Sequence, residues 1–333
     1  MTPSRIGPKL LGIPPIETLE EFSAITHLSK GLIYRLSRFA DSYYKVYPIP
    51  KRNGGSRLIS QPSIELKALQ SWILNSILNQ LKVSQSCKGF EKGISILDNA
   101  KPHIGASSVL CLDIDDFFPS IKANQVWSVF RTIGYNPRIA AILASLCTYK
   151  GSLPQGGPTS PKLANLVCVR LDARLLGYVG KRGIVYTRYA DDLTFSSLSY
   201  VKLMKTLPFI CHIISSEGFK INEGKTRFAG PSRKHKVTGL VVNETRAGIG
   251  RKQYRIMRAK LEHFYRHTAT ATHYPEYAYL GGYISFMKSV DEQRYGMLKK
   301  SAEKLLWKRY NPNARLMLSN LFQEEFPGDD ETY

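Results

Sequence analysis

The chain has 333 residues, of which 47 are Lys or Arg and 26 are Asp or Glu, so its formal net charge is +21. Hydrophobic residues make up 43% and aromatic residues 11%, a globular composition that excludes a wholly disordered chain. No run of about 18 apolar residues occurs, which excludes a membrane-spanning helix, and the strong positive charge favours a polyanionic partner, most often nucleic acid.

The first eighty residues predict helices and one hairpin. Thr18-Leu19-Glu20-Glu21 fits a capping box that begins a short helix, and apolar residues recur at helical spacing over 32–39. A turn at Arg52-Asn53-Gly54-Gly55 between two alternating segments predicts a β-hairpin with a basic tip. Apolar residues over 66–81 mark one buried face of a long helix.

The rest of the chain alternates between strand-like and helical patterns. In order, these patterns predict a buried strand at 109–114, helices across 122–149, a Gly/Pro loop at 151–161 that leads into a helix, a strand–turn–strand at 184–196, a helix at 200–217, a strand at 236–243 and a mostly helical, basic region from 251 onward.

The cysteines give information about the cellular compartment. An odd number without close spacing predicts neither a disulfide framework nor a zinc site. The N-terminus lacks the apolar run of a signal peptide. We therefore expect a cytoplasmic protein whose cysteines are reduced core residues: Cys87, Cys111, Cys147, Cys168 and Cys211.

Two acidic clusters follow apolar, strand-like sequence: Asp113-Ile114-Asp115-Asp116 and Asp191-Asp192. A carboxylate at the end of a buried strand is costly unless it is paired or bound to a metal. Carboxylate oxygens favour Mg²⁺, and two such ions about 4 Å apart can clamp the attacking and leaving oxygens of a phosphoryl displacement. Two alternatives stay open on these residues alone: solvated turns, or a phosphatase-type site with Asp113 as the nucleophile.

Five segments in order along the chain resemble the motifs of reverse transcriptases. They are Lys51, Gly55 and Arg57 with Pro62; Asp113 with Phe118; Leu153-Pro154-Gln155-Gly156-Gly157-Pro158-Thr159-Ser160-Pro161; Tyr189-Ala190-Asp191-Asp192; and Gly218-Phe219 with Lys225. Two further elements resemble the NAxxH and VTG elements of retron reverse transcriptases: Asn99-Ala100-Lys101-Pro102-His103 and Val237-Thr238-Gly239. The chain thus resembles the retron type over nearly its whole length.

This resemblance implies an α+β right-hand polymerase with fingers, palm and thumb, an antiparallel palm sheet and a helical thumb. The expected divisions are an N-terminal helical extension at 1–43, fingers at 44–108 and 122–165, palm at 109–121 and 166–243, a basic helical thumb at 244–323 and an acidic tail at 324–333.

The resemblance also implies the site residues. Catalysis and metal binding are expected from Asp113, Asp191 and Asp192, with two Mg²⁺ ions for which Mn²⁺ could substitute. Nucleotide binding is expected from Lys51, Arg57, Asp115, Asp116, Phe118, Gln155 and Lys225. Phe118 stands at the position of the gate that selects deoxynucleotides by excluding a 2′-hydroxyl.

RNA binding is expected from the two retron-type elements and from one helix face. In the elements we expect contributions from Asn99, His103, Val237, Thr238 and Gly239. Helical spacing places three arginines on one face, opposite an apolar face, where they would suit the backbone of a duplex: Arg251, Arg255 and Arg258.

The implied function is that of an RNA-directed DNA polymerase of a retron. Such an enzyme binds its cognate noncoding RNA, primes from the 2′-hydroxyl of a guanosine in it, and makes branched msDNA from dNTPs. The implied partners are that RNA and msDNA, a host RNase H and an accessory effector protein of an anti-phage defence system, without a membrane. Alternatives are an RNA-binding scaffold without catalysis and a group II intron-like or diversity-generating reverse transcriptase; Phe118 disfavours a viral RNA polymerase.

Overall fold

The structure, a computed structural model, describes residues 7–51, 54–267, 274–308 and 312–323. Arg52 and Asn53 of the predicted turn, and the predicted acidic tail at 324–333, lie outside the described residues. The helices and strands are α1 (Leu19–Thr26), α2 (Lys30–Arg38), β1 (Tyr44–Pro50), β2 (Ser56–Pro62), α3 (Ile64–Ser76), α4 (Ile96–Ala100), β3 (Ser108–Asp113), α5 (Phe117–Ser120), α6 (Ala123–Thr132), α7 (Pro137–Cys147), α8 (Ser160–Val167), α9 (Val169–Gly180), β4 (Val185–Tyr189), β5 (Asp192–Ser197), α10 (Tyr200–Ser216), β6 (Arg227–Ala229), β7 (His235–Val237), β8 (Leu240–Val242), β9 (Ala247–Gly248), α11 (Gly250–His267), α12 (Tyr274–Val290), α13 (Glu292–Lys308) and α14 (Pro312–Phe322).

The chain divides into two compact units. The first comprises Met1–Ser95 with Ser107–Pro231, and the second comprises Ile96–Ala106 with Ser232–Tyr333. Residues 96–106, which carry the NAxxH-like element, therefore group with the C-terminal part of the chain. The finer limits of fingers, palm and thumb stay predictions.

The first unit is built on a four-stranded antiparallel sheet in the order β4-β5-β3-β6. Its strands are rich in buried apolar residues such as Leu110, Leu112 and Phe195, which join one hydrophobic core with the surrounding helices. Removing this apolar surface from water is the main force that holds the sheet in place. The mixed helices and antiparallel sheet confirm the expected α+β class.

Local signals at the N-terminal end of this unit are confirmed. The Thr18 hydroxyl accepts a hydrogen bond from the Glu21 N–H at 3.2 Å and thereby caps α1. The predicted hairpin is β1–β2, paired from Tyr44 opposite Pro62 to Pro50 opposite Ser56.

Two predicted elements differ from the structure. The long helix predicted over 66–81 is shorter, since α3 ends at Ser76. The helices predicted across 122–149 are α6 and α7, separated by a turn at Gly134 (φ +107°). The single strand predicted at 236–243 is wrong. The chain there is a hairpin, β7–β8, whose two turn residues both have positive φ, 45° at Thr238 and 88° at Gly239.

The second unit combines the small sheet β7-β8-β9 with α4 and the helices α11 to α14. Its helices pack through buried apolar residues that include Met257, Leu261, Ile284 and Leu298. The Asp291 carboxylate is buried and accepts the backbone N–H of Ile249 at 3.0 Å, which ties the sheet to the helices. Among the described residues of both units, no helix is long and apolar enough to cross a bilayer.

Candidate active site

Strand pairing brings the two acidic clusters together. Asp113 is the last residue of β3 and lies opposite Asp192, the first residue of β5. Between β4 and β5 the chain turns through Ala190 and Asp191, and the Asp191 carbonyl accepts the Ile114 N–H at 3.0 Å. Asp113 is buried, Asp191 is half-buried and Asp192 is exposed. Three carboxylates thus share one end of the sheet.

Two of these carboxylates, those of Asp191 and Asp192, have a raised pKa. Partial loss of hydration raises the pKa of Asp191, and repulsion from Asp113 adds to this effect. The pKa of Asp192 is raised to about 6, again first by loss of hydration and then by repulsion from Asp191 and Asp113. A site of this kind favours bound cations at neutral pH.

One cation of the chain already lies in this site. The Lys225 ammonium donates to both carboxylate oxygens of Asp113, at 2.8 and 3.1 Å. This hydrogen bond raises the pKa of Lys225. The preceding Asn222 fixes the approach, because its backbone N–H donates to the Asp113 carbonyl at 2.8 Å. The sequence left a solvated Lys225 as an equal alternative.

The residues after Asp113 form a tight turn. The backbone N–H of Asp115 donates to the Lys220 carbonyl at 2.8 Å, so this donor is already used. Asp116 has a left-handed backbone (φ 42°) and precedes the short helix α5. Phe118 is half-buried, with its ring centroid 5.5 Å from that of Phe117. Both Asp115 and Asp116 are exposed.

The hairpin β1–β2 supplies the basic residues expected to bind nucleotide. Arg57 is exposed, and its positive charge acts against the rise in the pKa of Asp191. Lys51 is exposed at the end of β1, where its N–H donates to the Gly55 carbonyl at 3.0 Å.

The Gly-rich loop is docked on β2. The Gln155 carbonyl accepts the Ser60 N–H at 2.8 Å. Gly156 has φ +132°, and a Cβ there would lie 2.8 Å from the Ser60 carbonyl oxygen. A side chain at this position would collide with the neighbouring strand, which explains the glycine.

In the second unit, the two retron-type elements meet. The Asn99 amide donates to the Thr238 hydroxyl at 3.5 Å, and that hydroxyl donates to the Ile96 carbonyl at 3.5 Å, both long hydrogen bonds. Asn99, His103 and Val237 are buried, and burial lowers the pKa of His103 to about 4. Lys101, Pro102 and Gly239 are the exposed members of the two elements. The RNA-binding role of these residues stays a prediction.

The predicted basic face of α11 is exposed at Arg251, Arg255 and Arg258, while Met257 and Leu261 are buried on the other side. A cavity of about 670 Å³ adjoins this face. Six basic residues line the cavity: Lys234, Arg246, Arg251, Lys252, Arg255 and Arg294. Four of these were missed by sequence reasoning. Lys252 lies on α11 beside the predicted arginines, whereas Lys234, Arg246 and Arg294 come from the region of β7–β9 and from α13 and share no local spacing with α11.

The acidic site fits a hard divalent cation in its donor chemistry. Within the part of the chain that is described, no three His, Cys, Asp or Glu side chains converge into a complete metal cage. The Asp113 carboxylate nevertheless accommodates an ammonium ion, and all available donors at the strand ends are oxygen. Mg²⁺ commonly takes only one or two carboxylates and completes its shell with water and substrate phosphates.

The sequence is similar to one protein family and to several characterised relatives. The family described as "Reverse transcriptase (RNA-dependent DNA polymerase)" matches residues 49–281. The Retron Ec86 reverse transcriptase of Escherichia coli is 45% identical, over 91% of this chain and 93% of that protein. The Retron Mx65 reverse transcriptase of Myxococcus xanthus is 35% identical, over 85% of this chain and 70% of that protein.

A comparison of structures also returned apo telomerase from Candida tropicalis. It aligns with 84% of this chain and 57% of that chain, at 12% identity and a TM-score of 0.49.

The raised pKa of Asp192 predicts a pH-dependent effect of Asp192→Asn in metal-free buffer. Above pH 6 the ionised carboxylate destabilises the folded state, because its pKa of about 6 exceeds the unfolded value. The variant should therefore unfold at a higher temperature than the parent at pH 8. This gain should fade as the pH falls through 6, and vanish below about pH 4, where both states are protonated.

Thermal unfolding in EDTA at several pH values measures this gain. Glu223→Gln removes one charge from an exposed neighbouring position and serves as the control. A gain for Asp192→Asn that is equal at pH 8 and pH 4 would contradict the assignment.

Proposed function

This chain belongs to the reverse transcriptase family and, within it, to the retron reverse transcriptases, so it is an RNA-directed DNA polymerase; from this premise we propose that it copies part of its own noncoding RNA. Synthesis would begin at the 2′-hydroxyl of a guanosine in that RNA and yield branched msDNA. The meeting of Asp113, Asp191 and Asp192 at the paired ends of β3 and β5 carries the proposal.

Reverse transcriptases generally use divalent metal ions. We propose two Mg²⁺ ions, replaceable by Mn²⁺, held by Asp113 and Asp191 with Asp192 in support. When bound, they would neutralise the charge that develops on the transferred phosphate and activate the attacking hydroxyl.

The remaining side chains would position the nucleotide. Arg57 and Lys51 would bind the triphosphate, for which the planar guanidinium of Arg57 is well suited. Lys225, already hydrogen-bonded to Asp113, would donate a proton to the departing pyrophosphate. Gln155 would contact the nascent base pair, and Asp115 and Asp116 would border the triphosphate.

The partners follow from the same proposal. The noncoding RNA and the msDNA would stay bound, a host RNase H would remove copied RNA, and an accessory effector would complete an anti-phage defence unit. The retron reverse transcriptases among its relatives support this placement.

Co-expression with the flanking noncoding RNA tests the proposal. We expect purified protein to carry a discrete single-stranded DNA joined to RNA by a branch that a debranching enzyme removes. Asp191→Asn/Asp192→Asn should abolish this DNA while RNA binding persists, because only the carboxylates that hold the metal are lost. The readout is gel analysis of extracted nucleic acid after RNase treatment.

Two other outcomes would refute parts of the proposal. Extension of an added primer on generic RNA without a branched product would remove self-priming. RNA binding without any DNA in the parent protein would favour a scaffold.

Phe118→Ala should relax sugar selection. A smaller side chain would admit a ribose 2′-hydroxyl, so we expect relative ribonucleotide incorporation to rise by at least about tenfold. Single-nucleotide kcat/KM values for matched dNTP and rNTP measure the ratio. Phe209→Ala, at an exposed site on α10, is the control. An unchanged ratio in Phe118→Ala would show that another group excludes ribonucleotides.

We also propose that the basic cavity beside α11, together with the adjoining arginine face of that helix, binds the cognate RNA. It gathers six basic residues from three parts of the second unit, and exposed arginines recognise phosphates of a nucleic-acid backbone. The charge reversals Arg255→Glu/Arg258→Glu should weaken RNA binding and lower the slope of log K against log salt by about 2.

Filter binding at several salt concentrations checks this slope. Lys300→Glu/Lys304→Glu makes the same charge change at exposed sites on α13 and is the matched control. Equal losses in the two double variants would show a general charge effect instead of a site.

A further inference from the structure

Arg188 is the largest side chain that is fully buried in the described parts of the protein. Its guanidinium forms two parallel hydrogen bonds with Asp172 of α9: Nε to Oδ1 and Nη2 to Oδ2, each at 2.8 Å. Asp172 is also fully buried, and it accepts the Tyr186 hydroxyl at 2.8 Å.

The third nitrogen of Arg188 reaches the turn that carries the carboxylates. Nη1 donates to the Ala190 carbonyl at 3.1 Å and to Asn165 Oδ1 at 3.2 Å. Ala190 has φ +58°, a left-handed conformation that a non-glycine residue adopts only when its surroundings enforce it. The Nε and Nη2 atoms of the guanidinium are therefore fixed on Asp172 of α9, while Nη1 binds the peptide carbonyl that precedes Asp191.

A second segment, residues 86–89, packs against the same turn. The backbone of Arg188 pairs with that of Ser86 and Lys88, at 2.8 and 2.7 Å. This pairing brings Gly89 against the turn so closely that a Cβ on Gly89 would lie 2.6 Å from the Ala190 nitrogen. The Asn165 amide locks the arrangement by donating to the Gly89 carbonyl at 2.8 Å.

We propose that Arg188, held by Asp172 and Asn165, is a positioning residue that fixes the Ala190–Asp191 turn and so keeps Asp191 and Asp192 opposite Asp113. The inference rests on the proposed catalytic role of those carboxylates. A buried ion pair adds little stability over apolar side chains of the same size. Its distinctive contribution here is the directed hydrogen bond to the Ala190 carbonyl, which an apolar side chain cannot make.

The double variant Arg188→Met/Asp172→Leu tests the proposal, because it removes both charges and leaves neither one buried alone. A turn displaced by about 1 Å can cost about 100-fold in rate, so we expect kcat to fall by that order. The KM for dNTP and the Kd for RNA should stay close to the parent values, and kcat should be low at temperatures where the variant remains folded. A fall in kcat without a change in KM or Kd distinguishes a positioning role from a general structural role.

Arg174→Met/Glu217→Leu is the matched control. It removes another ion pair of α9, one that joins α10 and does not contact the turn. The proposal is overturned if kcat falls no further in Arg188→Met/Asp172→Leu than in the control. It is also overturned if the loss of kcat only follows the fraction of unfolded protein.

Gly89→Ala provides a second test if the double variant does not fold. It leaves the ion pair intact but pushes directly on the Ala190 nitrogen. We expect the same selective loss of kcat, whereas Gly177→Ala, with open space at its Cβ, should behave as the parent. Normal kcat in Gly89→Ala would overturn the proposal.

The carboxylate variants separate this inference from the proposed function. If Asp191→Asn/Asp192→Asn still polymerises DNA, the proposed catalytic site itself is wrong. If that variant is inactive while both turn variants retain the parental kcat, only the positioning role of Arg188 fails.

Discussion

The register between β3 and β5 is the constraint on which the candidate site depends. It places Asp113 opposite Asp192, at the end of strands whose interiors are apolar and buried. A shift of one residue would turn the side chains of a strand to the opposite face and separate the carboxylates from the core that orients them. Burial of the apolar strand residues therefore also fixes where the negative charge accumulates.

The cluster of carboxylates lowers the stability of the folded protein when no cation is bound. Loss of hydration and mutual repulsion raise the pKa values of Asp191 and Asp192, so the ionised site opposes folding until a cation enters. Lys225 supplies one such charge at Asp113, and Arg57 supplies a weaker field at Asp191. The strongly positive chain thus provides charge compensation in the first unit, while the basic cavity beside α11 is available for a polyanion in the second.

The sequence predicted the parts of the site that depend on local order. The hairpin of Tyr189 to Asp192, the strand that ends at Asp113 and the amphipathic α11 all have short-range signals, namely alternation, turn residues and helical spacing. The Arg188–Asp172 pair had no such signal, because a strand residue meets a helix residue across the core. Nor did the basic cavity, whose residues come together only through the tertiary fold.

The VTG-like element explains why a continuous strand was the wrong expectation. A β-branched residue rarely adopts positive φ, so Thr238 gave no sign of a turn. In the structure its hydroxyl lies between the Asn99 amide and the Ile96 carbonyl, and these contacts compensate for the unusual backbone. The partner of the turn lies 139 residues earlier in the chain, beyond the reach of any local pattern.

The two retron-type elements differ in exposure. The side chains of Asn99 and His103 are fully buried, whereas Gly239 is exposed and Thr238 is partly so. Asn99 contacts the Thr238–Gly239 turn through a hydrogen bond to the Thr238 hydroxyl, and Arg188 contacts the turn before Asp191 through a hydrogen bond to the Ala190 carbonyl. In each unit a buried polar side chain hydrogen-bonds to a turn that contains a non-glycine residue with a left-handed backbone. That residue is Ala190 in the first unit and Thr238 in the second.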